Sequence, residues 1–150
     1  MNITDYLIAL IELEENASRL YLTFSSLIKE DYNFWWGLSN EELNHSAILK
    51  TGIQFAKINK LPHITTENLE DVRKLNKQFD GIIEDFERNP NRQKSFEIAL
   101  EIESSAGESH YQEFMDINSD NKIVQILQQL NKEDEHHFDR IKKYYGENIS

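Results

Sequence analysis

The sequence predicts an all-α protein, an antiparallel four-helix bundle whose long crossover carries an additional helix. Apolar residues recur every three to four positions over most of the 150 residues, the period of a helix face. Only 2 prolines and 5 glycines interrupt that pattern, and no stretch alternates apolar and polar residues long enough for a strand. The stripes fall into two pairs of long segments with a fifth segment between them, the arrangement of two helical hairpins joined by a crossover.

In order along the chain, Thr4-Asp5 starts a first helix with Leu7, Leu10, Glu14, Ala17, Tyr21, Phe24 and Ile28 on one stripe. A second stripe runs through Trp35, Leu38, Glu42, His45, Leu49, Gly52 and Phe55 and ends before Pro62. Each of these helices spans about 25 residues, a length usual for bundles. Asn59 to Thr66 reads as a loop, and Thr66 caps a segment with Leu69, Val72, Leu75, Phe79, Ile82 and Phe86 on one face. Asn89-Pro90-Asn91 stops it. A fourth helix carries Phe96, Leu100, Glu103, Ala106, His110 and Phe114. Ser119-Asp120 starts the last, with Ile123, Leu127, Leu130, Asp134, His137, Ile141 and Tyr144 in line. The crossover, roughly Lys57 to Asn91, is required because the second and third main helices run parallel. Nothing suggests a second domain, so residues 1–150 are expected to form one.

Composition narrows the function. With 16 Lys and Arg against 27 Asp and Glu the net charge is −11, which repels phosphate backbones and anionic membranes and attracts cations. The absence of cysteine excludes disulfides, zinc–thiolate sites, iron–sulfur clusters and a rubredoxin-like iron centre. The first residues have no basic region ahead of an apolar run, and charges break every long apolar stretch, so a cytoplasmic location is expected. Neither a nucleophile elbow nor a glycine-rich phosphate cradle is present.

The informative residues interrupt the apolar stripes. Glu14, Glu42, Glu103 and Asp134 stand where periodicity calls for core residues, and His45 and His137 follow one turn after two of them. A buried carboxylate without a partner costs several kcal/mol or takes up a proton. No Lys or Arg falls on these stripes near the acids, so a pair of divalent metal ions is the economical compensation. The pattern is duplicated. Ile11 to Ala17 is echoed by Leu100 to Ala106, and Leu38, Glu42, His45 and Leu49 recur 92 positions on as Leu130, Asp134, His137 and Ile141. Each hairpin thus offers one lone carboxylate and one carboxylate-x-x-His turn, whose i, i+3 spacing puts acid and imidazole on one face.

These residues resemble the rubrerythrin branch of the ferritin-like di-iron carboxylate proteins over essentially the whole chain. Glu14, Ala17 and Tyr21 match a Glu-x-x-Ala-x-x-x-Tyr helix; Glu42 and His45 match the first Glu-x-x-His; Glu103 and Tyr111 resemble the third-helix Glu and Tyr; Asp134 and His137 stand for the second Glu-x-x-His. The resemblance implies a ferritin-like bundle holding two iron ions, with manganese or mixed occupancy compatible. Glu42 and Asp134 would bridge, Glu14 and Glu103 would bind terminally, and the tyrosines would hold carboxylates in place. It implies Fe(II) oxidation by dioxygen or hydrogen peroxide and a homodimer, and leaves any electron donor unspecified.

The chain departs from the family at Asp134, where the family has Glu, and at Ala106, where typical members carry a further Glu. Glu133-x-x-His136 is a rival pair, but it would turn Gln129, Arg140 and Lys143 towards the core. Trp35 reads as core and Trp36 as its neighbour or a dimer contact, and His110 as a partner of Glu103 or a hydrogen-bonded core residue. The alternative function is a metal-free bundle acting as an interaction or scaffold module. Iron storage within a larger shell is a third.

Overall fold

The computed structural model describes residues 3–58, 69–111 and 122–149, and within these not the side chains of residues 3, 55–58, 106–111, 131, 134 and 135. The expected loop from Asn59 to Thr66, the Ser119-Asp120 start and Phe114 therefore lie outside the described residues. So do the side chains of Phe55, Ala106, His110, Tyr111 and Asp134.

The described chain is all-helical. Its helices are α1 (Ile3–Leu27), α2 (Tyr32–Ile58), α3 (Leu69–Arg88), α4 (Arg92–Tyr111) and α5 (Lys122–Asn148), with a short 3-10 turn at Lys29–Asp31. That turn reverses the chain between α1 and α2. The Asp31 N–H donates to the Ile28 carbonyl at 3.1 Å, and Ser25 Oγ donates to the Tyr32 carbonyl at 2.9 Å. At the other described corner Pro90 cannot continue the α3 ladder, and Asn91 Oδ1 accepts from the Lys94 N–H at 2.9 Å, capping α4.

Side-chain pairs fix the helix directions. Ser18 Oγ lies 2.8 Å from Ser39 Oγ, and Ser46 Oγ donates to Glu15 at 2.9 Å, so α1 and α2 are antiparallel. Phe34 stacks on Tyr144 while Arg140 reaches Glu41, so α2 and α5 are antiparallel as well. Phe96 against Tyr144 and Glu103 against His137 give the same sense for α4 and α5. It follows that α2 and α4 run parallel, as the expected crossover requires. The crossover helix α3 lies along α1 in the same direction, with Asn76 beside Ala9, Asp80 beside Arg19 and Phe86 beside Phe24.

The core follows the expected stripes with one shift. On α3 the buried residues are Leu69, Val72, Asn76, Phe79, Ile83 and Phe86, whereas Leu75 and Ile82 are half-buried. The polar Asn76 takes the inner position because its amide is satisfied there: Nδ2 donates to the Ala9 carbonyl at 3.0 Å and Oδ1 accepts from Asn16 at 3.2 Å. One end of the bundle is filled by aromatic rings around the fully buried Trp35, whose ring lies 5.0 Å from Phe24 and Phe34, 5.1 Å from Phe96 and 5.4 Å from Tyr21. Among the described residues no helix is long and apolar enough to cross a membrane.

Candidate metal centre

Beyond the aromatic end, the acidic positions of the stripes meet. Glu14 on α1, Glu42 and His45 on α2, Glu103 on α4 and His137 on α5 are each at most 5% exposed. They are inside because their helix neighbours one turn away are apolar and buried: Leu10 and Ala17 flank Glu14, Leu38 and Leu49 bracket Glu42 and His45, Ala99 precedes Glu103, and Ile141 follows His137.

Both imidazoles present Nδ1 to the carboxylates. His137 Nδ1 is 2.7 Å from Glu42 Oε1 and 3.9 Å from Glu103 Oε1. His45 Nδ1 is 3.6 Å from Glu14 Oε2 and 3.9 Å from Glu42 Oε2. Glu42 thus faces one imidazole with each oxygen. The two rings stack, with centroids 5.2 Å apart and an interplanar angle of 11°. Ligand atoms of Glu42, His45 and His137 all lie within 4.8 Å of one another, close enough to share one ion. Tyr21 Oη donates to Glu103 Oε1 at 2.6 Å, so the α1 tyrosine orients the α4 carboxylate. Burial pushes the Glu103 carboxyl above its ordinary range, against the opposing pull of His137 and the Tyr21 hydrogen bond.

The outward nitrogens show a crossed pairing. His45 Nε2 is 2.7 Å from Glu133 Oε2 of α5, and His137 Nε2 is 3.6 Å from Glu41 Oε1 of α2. Each imidazole therefore meets the acid preceding the other hairpin's carboxylate-x-x-His turn. Arg140 holds Glu41 at 2.7 Å, and His137 together with Arg140 pulls the Glu41 carboxyl down to about 2.

Five of the six residues expected as ligands converge. The sixth, Asp134, lies on α5 one turn before His137, with its side chain outside the described residues. Of the rival pair, His136 is exposed while Glu133 is half-buried on His45, and Gln129, Arg140 and Lys143 are exposed, as the periodicity required. Glu41 was not singled out from the sequence, and Glu133 figured there only as a competitor. The signal was present, because Glu41 and Glu133 are themselves 92 positions apart, in step with the Glu42/Asp134 and His45/His137 repeat.

Among known proteins the chain matches no family model, no curated protein and no solved structure.

The residues fit a metal ion. The donors are carboxylate oxygens and imidazole nitrogens without sulfur, a set that suits iron, manganese or zinc. They sit in an apolar surround that would otherwise make three buried carboxylates costly.

Proposed function

We propose that the protein is a ferritin-like, rubrerythrin-type di-iron protein that oxidises Fe(II) with dioxygen or hydrogen peroxide. The observation that carries this is the convergence of Glu14, Glu42, His45, Glu103 and His137 from four helices. With Asp134, which lies one turn before His137 on α5, they would make two sets of carboxylate and imidazole donors. Two irons held there would each supply one electron, so that hydrogen peroxide with two protons leaves as two waters.

The chain's own residues prepare the site. Glu42 stands between the imidazoles, where it would help to hold the metal. Glu133 keeps a proton on His45 Nε2, which leaves the Nδ1 lone pair facing the carboxylates, and Glu41 faces the corresponding nitrogen of His137. Tyr21 fixes the Glu103 carboxylate by its hydrogen bond. Buried Leu38, Leu49, Leu130 and Ile141, one turn from the ligands on α2 and α5, keep bulk water out. The protein is also taken to be a homodimer, for which α2 offers the exposed Tyr32, Trp36 and Leu43 on one face.

A second reading, a metal-free interaction module, draws on the same pairs. His137 with Glu42, His45 with Glu133 and Tyr21 with Glu103 let protons alone compensate part of the buried charge.

Metal analysis of protein purified without chelator, followed by anaerobic Fe(II) titration, separates the two. About two metals per chain, with an oxo-bridged absorption band after oxygen or peroxide is added, is the expected result. Absence of stoichiometric binding overturns the di-iron reading in favour of the metal-free module.

A further inference from the structure

The buried acids have a way out to solvent. Between α2 and α5 lies a cleft of about 240 Å³ with the rims of His45 and His137 as its floor. Glu41 and Glu133 form its walls, each about 40% exposed (42% and 40%), so each carboxylate touches both water and an imidazole of the centre. Asn44, exposed on α2, and Arg140, clamped to Glu41, complete the mouth.

Size and charge say what this cleft admits. Six waters at about 30 Å³ each occupy about 180 Å³, so a divalent cation with its first hydration shell fits. Two carboxylates against one guanidinium leave the walls negative, which raises the local concentration of cations and repels anions. The larger groove between α3 and α4, about 660 Å³, carries Asp71, Asp85 and Glu101 against Lys74 and Lys94, but none of the five converged residues lines it, so a cation held there would not be at the centre.

We infer that the α2/α5 cleft is the entrance through which a hydrated divalent cation reaches the metal centre, with Glu41 and Glu133 capturing it and Arg140 restraining Glu41. This rests on the di-metal reading above. Capture exchanges water for carboxylate oxygen at Glu133 and Glu41. The ion then passes the edges of the two imidazoles towards Glu42. Arg140 opposes the process twice, by its own charge and by occupying Glu41.

The test is the rate of Co(II) uptake by the full-length metal-free chain, followed by stopped-flow absorbance, beside equilibrium stoichiometry and affinity. Because Glu41 and Glu133 also face the imidazoles, the decisive variant is Asn44→Trp, which narrows the mouth and leaves both carboxylates and both imidazoles in the chain. It should slow both association and dissociation about tenfold, with two ions still bound and the affinity unchanged. Glu41→Gln should slow association about tenfold and flatten its dependence on salt, and Arg140→Gln should speed it severalfold. If wild type takes up two ions and Asn44→Trp and Arg140→Gln load at its rate, the entrance lies elsewhere and the di-metal reading stands. If wild type takes up none, the di-metal reading fails and the entrance fails with it.

Discussion

Tyr21 on α1 donates its phenolic hydrogen to Glu103 on α4 at 2.6 Å, joining two helices whose partners in the chain are 82 positions apart. Both groups are buried, so neither has water to replace the other. Tyr21→Phe keeps the ring that stacks on Trp35 and removes this bond alone. The variant should lose about 2 kcal/mol of stability in urea titration of the metal-free protein. Its metal affinity should fall about 10- to 100-fold while the stoichiometry holds, because the bond positions a ligand without being one. An unchanged affinity would mean that Glu103 is oriented by the bundle alone.

Glu103 itself gives a pH signature. Its carboxyl is held above the ordinary value of 4.5, chiefly by burial, so the fold favours its protonated form. That contribution to stability is fully present below the ordinary value and is lost as pH rises through the raised one. Metal-free Glu103→Gln should therefore be more stable than wild type at pH 7, by about 1–2 kcal/mol, and the gain should close as pH falls towards 4.5. Added metal should reverse the order, because wild type gains the binding free energy and the variant lacks a ligand. Thermal melts of both proteins across that range, with and without Co(II), give all four comparisons.

Far from the candidate centre, a further buried acid is satisfied in another way. Asp31, in the turn between α1 and α2, is 1% exposed. Arg92 at the start of α4 meets it with two bonds, Nε to Oδ2 at 2.8 Å and a terminal nitrogen to Oδ1 at 2.7 Å, and Tyr144 of α5 donates to Oδ1 at 2.9 Å. This cluster ties both hairpins together at the aromatic end. Arg92→Met leaves the Asp31 charge buried with the phenol alone and should cost about 3 kcal/mol in urea unfolding. Double substitution with Asp31→Asn should recover part of that loss, because the uncompensated charge goes with it.

Legibility in the sequence tracked burial. Helices with a continuous apolar stripe could be read almost to their ends, and the carboxylates declared themselves by breaking the stripes at matched positions. The register of α3 was less plain, since Leu75 and Asn76 are adjacent and hydropathy favours the leucine. Asn76 is inside only because Ala9 and Asn16 of α1 satisfy its amide, a pairing 60 to 67 residues distant. Glu41 escaped notice, and Glu133 was weighed only as a rival ligand, for a related reason. Half-exposed glutamates on a helix look like solvated surface, and their contacts with the opposite hairpin's imidazoles depend on how α2 and α5 cross. The 3-10 turn at Lys29–Asp31 was likewise hidden, because the periodic stripe runs up to Ile28 and resumes without a proline or glycine to mark the corner.

The adjacent tryptophans of α2 supply a built-in optical assay. Trp35 is fully buried among Tyr21, Phe24, Phe34 and Phe96, whereas Trp36 is 48% exposed. Trp36→Phe should leave a blue-shifted emission that acrylamide barely quenches, and Trp35→Phe a red-shifted one that it quenches readily. Trp35 Nε1 has no hydrogen-bond partner among the described residues, so the smaller phenylalanine forfeits volume and no polar contact. Its cost should therefore stay near 1–2 kcal/mol, below the roughly 3–5 kcal/mol of a truncation to alanine. Trp35 also lies 5.4 Å from Tyr21, which is bonded to Glu103. Loading the Trp36→Phe protein with Co(II) should quench the remaining emission, and in proportion to occupancy. If ions bind and that emission does not change, they sit away from Glu103, and the centre would have to be sought on another part of the bundle.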